Sequence, residues 1–318
     1  MSSLCLVAAS LVNHGQAPGW KLNTPPARTL WFIPTGSDRS VHKLCKSDPQ
    51  SARAKAVVAE AAAFRPEFSQ RGRNSASLDT FTQKPSRPVT GGQLYRQRLA
   101  SLRMGLTYTR IAPDSFQDAW ANTIEQPTHE QWKKLLEREA TMMAAGQGNN
   151  RLTVIVGDSH ALWFPLEQLS RDRFWLNQGI SGDSTAGVLE RINTFAQTRP
   201  DTIHVMVGIN DLRQGKTDPE ILVNVQKIMV QLRRNHPTAQ VFVHSILPTR
   251  LPAIPSNRIR WLNYNIASLA KQEGVNFLNL QPAFADANGN LRRTLTTDGI
   301  HLNARGYQVW QTASSPIL

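Results

Sequence analysis

From residue 151 onward the chain alternates two kinds of segment, and that alternation restricts its fold more than any other feature. "RLTVIVGDS", "RFWLNQGISGDS", "TIHVMVGIND", "AQVFVHSILP" and "VNFLNL" are short, nearly continuous apolar runs. Between them stand longer stretches with apolar residues at helical spacing. In "TDPEILVNVQKIMVQLRRNH" the residues Ile221, Leu222, Val225, Ile228, Met229 and Leu232 form one stripe, and Thr217 with Glu220 makes a capping box at its start. "NRIRWLNYNIASLAKQEG" repeats the pattern and stops at Gly274. Strands apolar on both faces and separated by helices belong to a parallel sheet covered on both sides. The expected fold is α/β: a three-layer α/β/α sandwich on a five-stranded parallel sheet, spanning residues 151–318.

Upstream the chain reads differently. Residues 91–150 are expected to be helical and to pack on that domain. In "THEQWKKLLEREATMMAAG", Thr128 and Gln131 form a capping box, Trp132, Leu135, Leu136 and Met143 share a face, and Gly146 is a suitable stop. Residues 1–90 mix Pro, Ser, Gly, Arg and Gln with little periodicity, and read as a basic, disordered N-terminal region. The formal net charge of +13 suggests an anionic partner. Its distribution narrows that suggestion: residues 1–100 carry a net +9 and residues 151–318 only +5. A basic tail that touches anionic surfaces fits this asymmetry, and so does a plain solvated tail. No nucleic-acid partner is expected.

Cys5 and Cys45 are the only cysteines, so thiolate nucleophiles, zinc–thiolate sites and iron–sulfur clusters are not expected in the C-terminal domain. No apolar run reaches the roughly 18 residues of a membrane-spanning helix. The opening "LCLVAASLV" is short for a signal-peptide core and has no basic residues before it. Cytoplasmic and exported locations both stay open.

Ligands of open parallel sheets bind beyond the carboxyl ends of the strands, so the residues that follow each strand carry the chemistry. They are Gly157-Asp158-Ser159 after the first, Gly179 and then Ser181-Gly182-Asp183-Ser184 after the second, Gly208-Ile209-Asn210-Asp211 after the third, and Asp298 with His301 beyond the fifth. In this order and context the four clusters resemble the four sequence blocks of the SGNH (GDSL-type) hydrolases, a family of serine esterases, lipases, thioesterases and acetylhydrolases. The resemblance covers 151–318 and none of 1–90, and it implies a flavodoxin-like sheet. It implies Ser159 as nucleophile, His301 as its general base, and Asp298 as the group that orients and stabilises the imidazole. It also implies an oxyanion hole made from the backbone N–H of Ser159, the backbone N–H of Gly182 and the side-chain amide of Asn210. The implied substrate is a small-molecule, lipid or glycan ester. No metal and no cofactor is expected: G-x-G-x-x-G and P-loop patterns are absent, and Asp298 with His301 is sparse for a metal site. The rival reading from another class is a degenerate hydrolase domain that binds acyl or glycan ligands without turnover.

The chain departs from the family pattern at His160, where leucine is usual. The bland reading is a tolerated neighbour pointing away from the cleft; the functional one is a second imidazole that tunes substrate binding or pKa. His204 is expected to be a satisfied buried histidine, and His14, His42, His129, His236 and His244 have no evident partner pattern. Asp158 and Asp211 read as loop-fixing groups, and Trp261 and Trp310 as core residues of their helices. "GDS" occurs twice, and Ser184 in the second copy has the simpler role of bonding its own turn.

Overall fold

The computed structural model describes residues 85–165 and 169–314. The expectations for Cys5, Cys45, the opening apolar run and most of the basic region lie outside those residues. In chain order the elements are α1 (Gly91–Arg103), α2 (Gln117–Trp120), α3 (His129–Gly146), β1 (Leu152–Gly157), α4 (Ser159–Leu162), β2 (Phe174–Gly179), α5 (Thr185–Arg191), β3 (Thr202–Met206), α6 (Ile209–Arg213), α7 (Asp218–Asn235), β4 (Gln240–His244), α8 (Ser256–Gln272), β5 (Asn276–Leu278), α9 (Gln281–Phe284) and α10 (Ala304–Ser314). Among the described residues the strands form a five-stranded sheet in the order β2-β1-β3-β4-β5, with each neighbouring pair parallel. The expected α/β architecture is the one found.

The sheet is covered on both faces for the reason its sequence suggested. Every residue of β1 is buried, and the alternate side chains face different cores. Leu152, Val154 and Val156 meet the apolar stripes of α7 and α8, with Val188 and Ile192 alongside. Ile155 faces the opposite core, with Phe284, Leu302, Tyr307 and Trp310. Local signals set the helix starts. Thr128 and Gln131 form the capping box of α3, and Thr217 and Glu220 that of α7. The helical segment has a cluster of its own, in which Leu94, Trp132, Leu135 and Leu136 pack with Leu162 and Ile180. Its deepest polar contact is a buried ion pair: Arg98 donates to both carboxylate oxygens of Glu139 and to the Asn177 carbonyl of β2.

One expectation about the core fails. Trp310 is buried, but Trp261 is half exposed, because α8 turns Ile259, Leu262, Ile266 and Ala270 inward instead.

Candidate active site

Because all five strands run the same way, the segments that follow them meet at one rim of the sheet. At the end of β1 the chain must turn hard beside β3. A Cβ at Gly157 would stand 1.9 Å from the Met206 carbonyl oxygen, so only glycine fits. Asp158 then caps α4, its Oδ1 accepting from the His160 N–H at 2.9 Å. Ser159 is the first residue of that short helix and is 5% exposed. Neither its hydroxyl nor its N–H bonds to a described residue.

The second loop is held from beneath. Gly182 has φ +82°, a conformation that favours glycine, and its N–H is also without an acceptor among the described residues. The next residue, Asp183, is buried and accepts from Arg191 Nε at 2.8 Å. The same guanidinium donates to the carbonyls of Gln178 at 2.7 Å and Gly157 at 2.9 Å, and so ties the ends of β1 and β2 to the loop. Sequence reasoning missed Arg191. The available signal was a cation next to Ile192, within the apolar pattern of "TAGVLERINTF". His129, the first residue of α3, also reaches this loop, 3.4 Å from Asp183 Oδ1. Ser184 is the N-cap of α5, its hydroxyl accepting from the Gly187 N–H at 3.3 Å.

On the third segment, Asn210 is buried and its amide donates to the Asp183 carbonyl at 2.9 Å, while its oxygen accepts from Arg213 at 3.1 Å. Asp211 accepts from the Thr185 backbone N–H and hydroxyl, which makes it the loop-fixing group expected. Burial raises the Asp211 pKa, although both Thr185 bonds pull the other way.

The fourth segment carries Asp298 and His301 on a tight turn closed by the Thr296–Leu302 bridge. Asp298 Oδ1 accepts from the N–H groups of Ile300 and His301, and Oδ2 stands 2.6 Å from His301 Nδ1. Partial burial alone would raise this carboxyl. The His301 ring and the two backbone donors outweigh it and hold the pKa at about 2. A carboxylate only accepts, so Nδ1 carries a proton, and in the neutral ring Nε2 keeps a free lone pair. The Ser159 hydroxyl and His301 are not hydrogen-bonded to each other. Their segments are joined one residue along each chain, where His160 Nε2 meets the Ile300 carbonyl at 3.1 Å.

His160 is 3% exposed, with both ring nitrogens engaged. Three other histidines also have partners that local sequence did not reveal. His244 accepts from Trp310 Nε1 at 3.1 Å and pairs with His204 at 3.0 Å, His236 stacks on Phe195, and His129 faces Asp183. His204 is buried as expected but only half satisfied, because its Nε2 has no partner among the described residues. Among the described residues no group of three or more His, Cys, Asp and Glu side chains is arranged to hold a metal ion.

Residues 143–309 match the family model described as GDSL-like Lipase/Acylhydrolase family, a span that takes in all four strand-end clusters. The chain belongs to that family. It is a hydrolase that acts on esters. Among its relatives is the bovine (Bos taurus) platelet-activating factor acetylhydrolase IB subunit alpha1, 30% identical over 162 residues, or 48% of this chain and 69% of the relative. An N-acylneuraminate cytidylyltransferase of Streptococcus agalactiae serotype III is 26% identical over 184 residues, which are 58% of this chain but only 40% of that protein. The fold is also that of a GDSL-like lipase from Bacteroides thetaiotaomicron, with a TM-score of 0.50, 21% identity, and coverage of 58% of this chain and 97% of the other. Among the described residues of this family member, no helix is long and apolar enough to cross a membrane.

Proposed function

We propose that this family member cleaves a carboxylic ester through an acyl-enzyme formed on Ser159, with His301 and Asp298 as its acid–base pair. The observation that carries the reading is the Asp298–His301 contact at 2.6 Å, which leaves the imidazole Nε2 as a base at the rim where Ser159 begins α4. The Ser159 oxygen attacks the ester carbonyl carbon and its proton passes to His301 Nε2. The carbonyl oxygen becomes an oxyanion, which the N–H groups of Ser159 and Gly182 and the second amide hydrogen of Asn210 would stabilise. Collapse expels the alcohol, which takes the proton from His301. Water, deprotonated by the same imidazole, then attacks the acyl group, and the acid leaves with Ser159 restored. The missing Ser159–His301 hydrogen bond is compatible with this, because catalytic hydrogen bonds are often long before substrate closes the site.

Short acyl groups are the proposed substrates. The bovine relative carries the name of an acetylhydrolase, which favours acetyl esters over long-chain lipids. The test is hydrolysis of p-nitrophenyl esters of increasing chain length by the wild type and by Ser159→Ala. The expected result is highest activity on the acetyl ester and a loss of about 10⁴-fold or more in kcat for the variant. Undiminished hydrolysis by Ser159→Ala would overturn the reading.

A further inference from the structure

The residue that departs from the family pattern is also the one that joins the two halves of the site. His160 Nδ1 stands 3.0 Å from Asp158 Oδ1, and His160 Nε2 stands 3.1 Å from the carbonyl oxygen of Ile300, 140 residues away in the chain. A carbonyl oxygen has no proton to give, and Asp158 as a carboxylate, whose Oδ1 also takes the backbone N–H of His160, only accepts. A neutral imidazole can donate from only one nitrogen. The two contacts together require a ring that donates from both, an imidazolium paired with the Asp158 carboxylate. Such a ring has no lone pair left, so His160 cannot serve as a base for the neighbouring serine.

The rest of the surroundings fit that state. The His160 ring lies against the His301 ring with centroids 6.2 Å apart and planes inclined by 29°. Its backbone carbonyl accepts from the Tyr307 hydroxyl at 3.2 Å, so α10 clamps the same residue from the other core. Burial disfavours the charged ring, but Asp158, the Ile300 carbonyl and Asp298 together outweigh it and leave the pKa above the ordinary histidine value. The charged and titratable groups about the pair are Asp158, Asp298, His301 and Tyr307, with Arg191 and Asp211 also acting on Asp158.

We propose that His160 is a positioning residue of this hydrolase, a buried imidazolium that ties the His301 turn, through the Ile300 carbonyl, to the Asp158–Ser159 turn and so sets where His301 meets the nucleophile. The role rests on the reading of Ser159 and His301 given above. A leucine at this position would fill the space but could not hold the carbonyl. Reacting groups displaced by about 1 Å lose on the order of 10²-fold in rate, so a bridge of this kind acts on kcat.

The test compares the wild type, His160→Leu and His160→Gln in the full chain, with p-nitrophenyl acetate as substrate. For His160→Leu, kcat should fall by about tenfold or more with KM changed by less than about threefold. The acid limb of the rate profile should move to higher pH, because His301 loses a neighbouring cation and keeps the Asp158 anion. His160→Gln, whose amide can still donate to the Ile300 carbonyl, should recover part of kcat. Nitrogen-15 NMR of the wild-type imidazoles gives a readout that needs no variant to fold: both His160 ring nitrogens should carry protons near neutral pH. An unchanged kcat and profile in a folded His160→Leu, or a His160 with one protonated nitrogen, would overturn the proposal. Activity that survives Ser159→Ala would overturn the nucleophile assignment itself. A Ser159-dependent enzyme indifferent to His160→Leu would overturn the positioning role alone.

Discussion

Two serines follow a Gly-Asp pair in this chain, and their hydrogen bonds separate them. Ser184 spends its hydroxyl on the Gly187 N–H as the cap of α5, whereas the Ser159 hydroxyl is uncommitted among the described residues. Removing a serine cap costs about 0.5–2 kcal/mol of stability. Ser184→Ala should accordingly lower the melting temperature by a few degrees and change kcat by less than about tenfold, since its effect is on loop position. Assays of activity and melting on the one variant check both parts; abolished activity with an unchanged melting temperature would reverse the two serines' roles. What local pattern could convey at this level was the role of Ser184, and of Asp211 as a loop-fixing group, because both act within or between loops already placed by the strand order. It could not convey His160 or the His204–His244 contact. Those partners are 140 and 40 residues away, and nothing in a short window marks an imidazole as facing a carbonyl on another loop.

Among the elements, the helix boundaries were the most legible part, since a cap is a local event. The capping boxes at Thr128–Gln131 and Thr217–Glu220 need only four consecutive residues each. Faces were less legible. Trp261 and Trp310 both sit in amphipathic helices, yet only Trp310 turns inward, because the width and angle of a buried stripe depend on the neighbour it packs against. The first helix gives a test of how far local capping matters. Thr90 accepts from the Gln93 N–H, and Gln93 Oε1 accepts in return from Val89. Gln117 also bonds the Pro85 carbonyl at 2.7 Å. A chain beginning at Pro85 should keep the fold and the esterase activity, whereas one beginning at Gly91 loses the cap and about 1 kcal/mol. Thermal melts of the two shortened proteins check this. Equal melting temperatures would mean the cap contributes nothing, and an insoluble Pro85 version would mean the helices depend on what precedes them.

At the scale of the molecule, buried histidines among the described residues set the response to mild acid. Burial lowers the His204 pKa to about 3 and the His236 pKa to about 4, and it drives His244 well below the ordinary value, with His204 adding to the effect. In an unfolded chain these rings take up protons near about 6.5. Between that pH and about 3–4 the unfolded state binds more protons, so this part of the stability is complete above about 6.5 and is lost as the pH falls. His160 is shifted the opposite way, so its contribution is complete below about 6.5 and does not offset the loss. The melting temperature should fall steadily as the pH drops from about 6.5 to about 4, the window between the unfolded histidine value and that of folded His236. His236→Phe, which replaces a ring stacked on Phe195, should make that slope shallower. Identical slopes in the variant and the wild type would remove His236 from the account.

The architecture itself was legible because five apolar runs alternating with amphipathic helices leave few arrangements other than a covered parallel sheet. That sheet is what brings residues 159, 182, 210, 298 and 301 to one rim. Whether this rim is a nucleophilic ester-cleaving site with Ser159 at its centre is decided by where a covalent serine probe lands. The wild-type protein treated with a fluorophosphonate, digested with trypsin and read by mass spectrometry should carry the adduct on the peptide 152–171, which contains Ser159. An adduct on the peptide 174–191, which contains Ser184, or no adduct on an enzyme that hydrolyses p-nitrophenyl acetate, would contradict it.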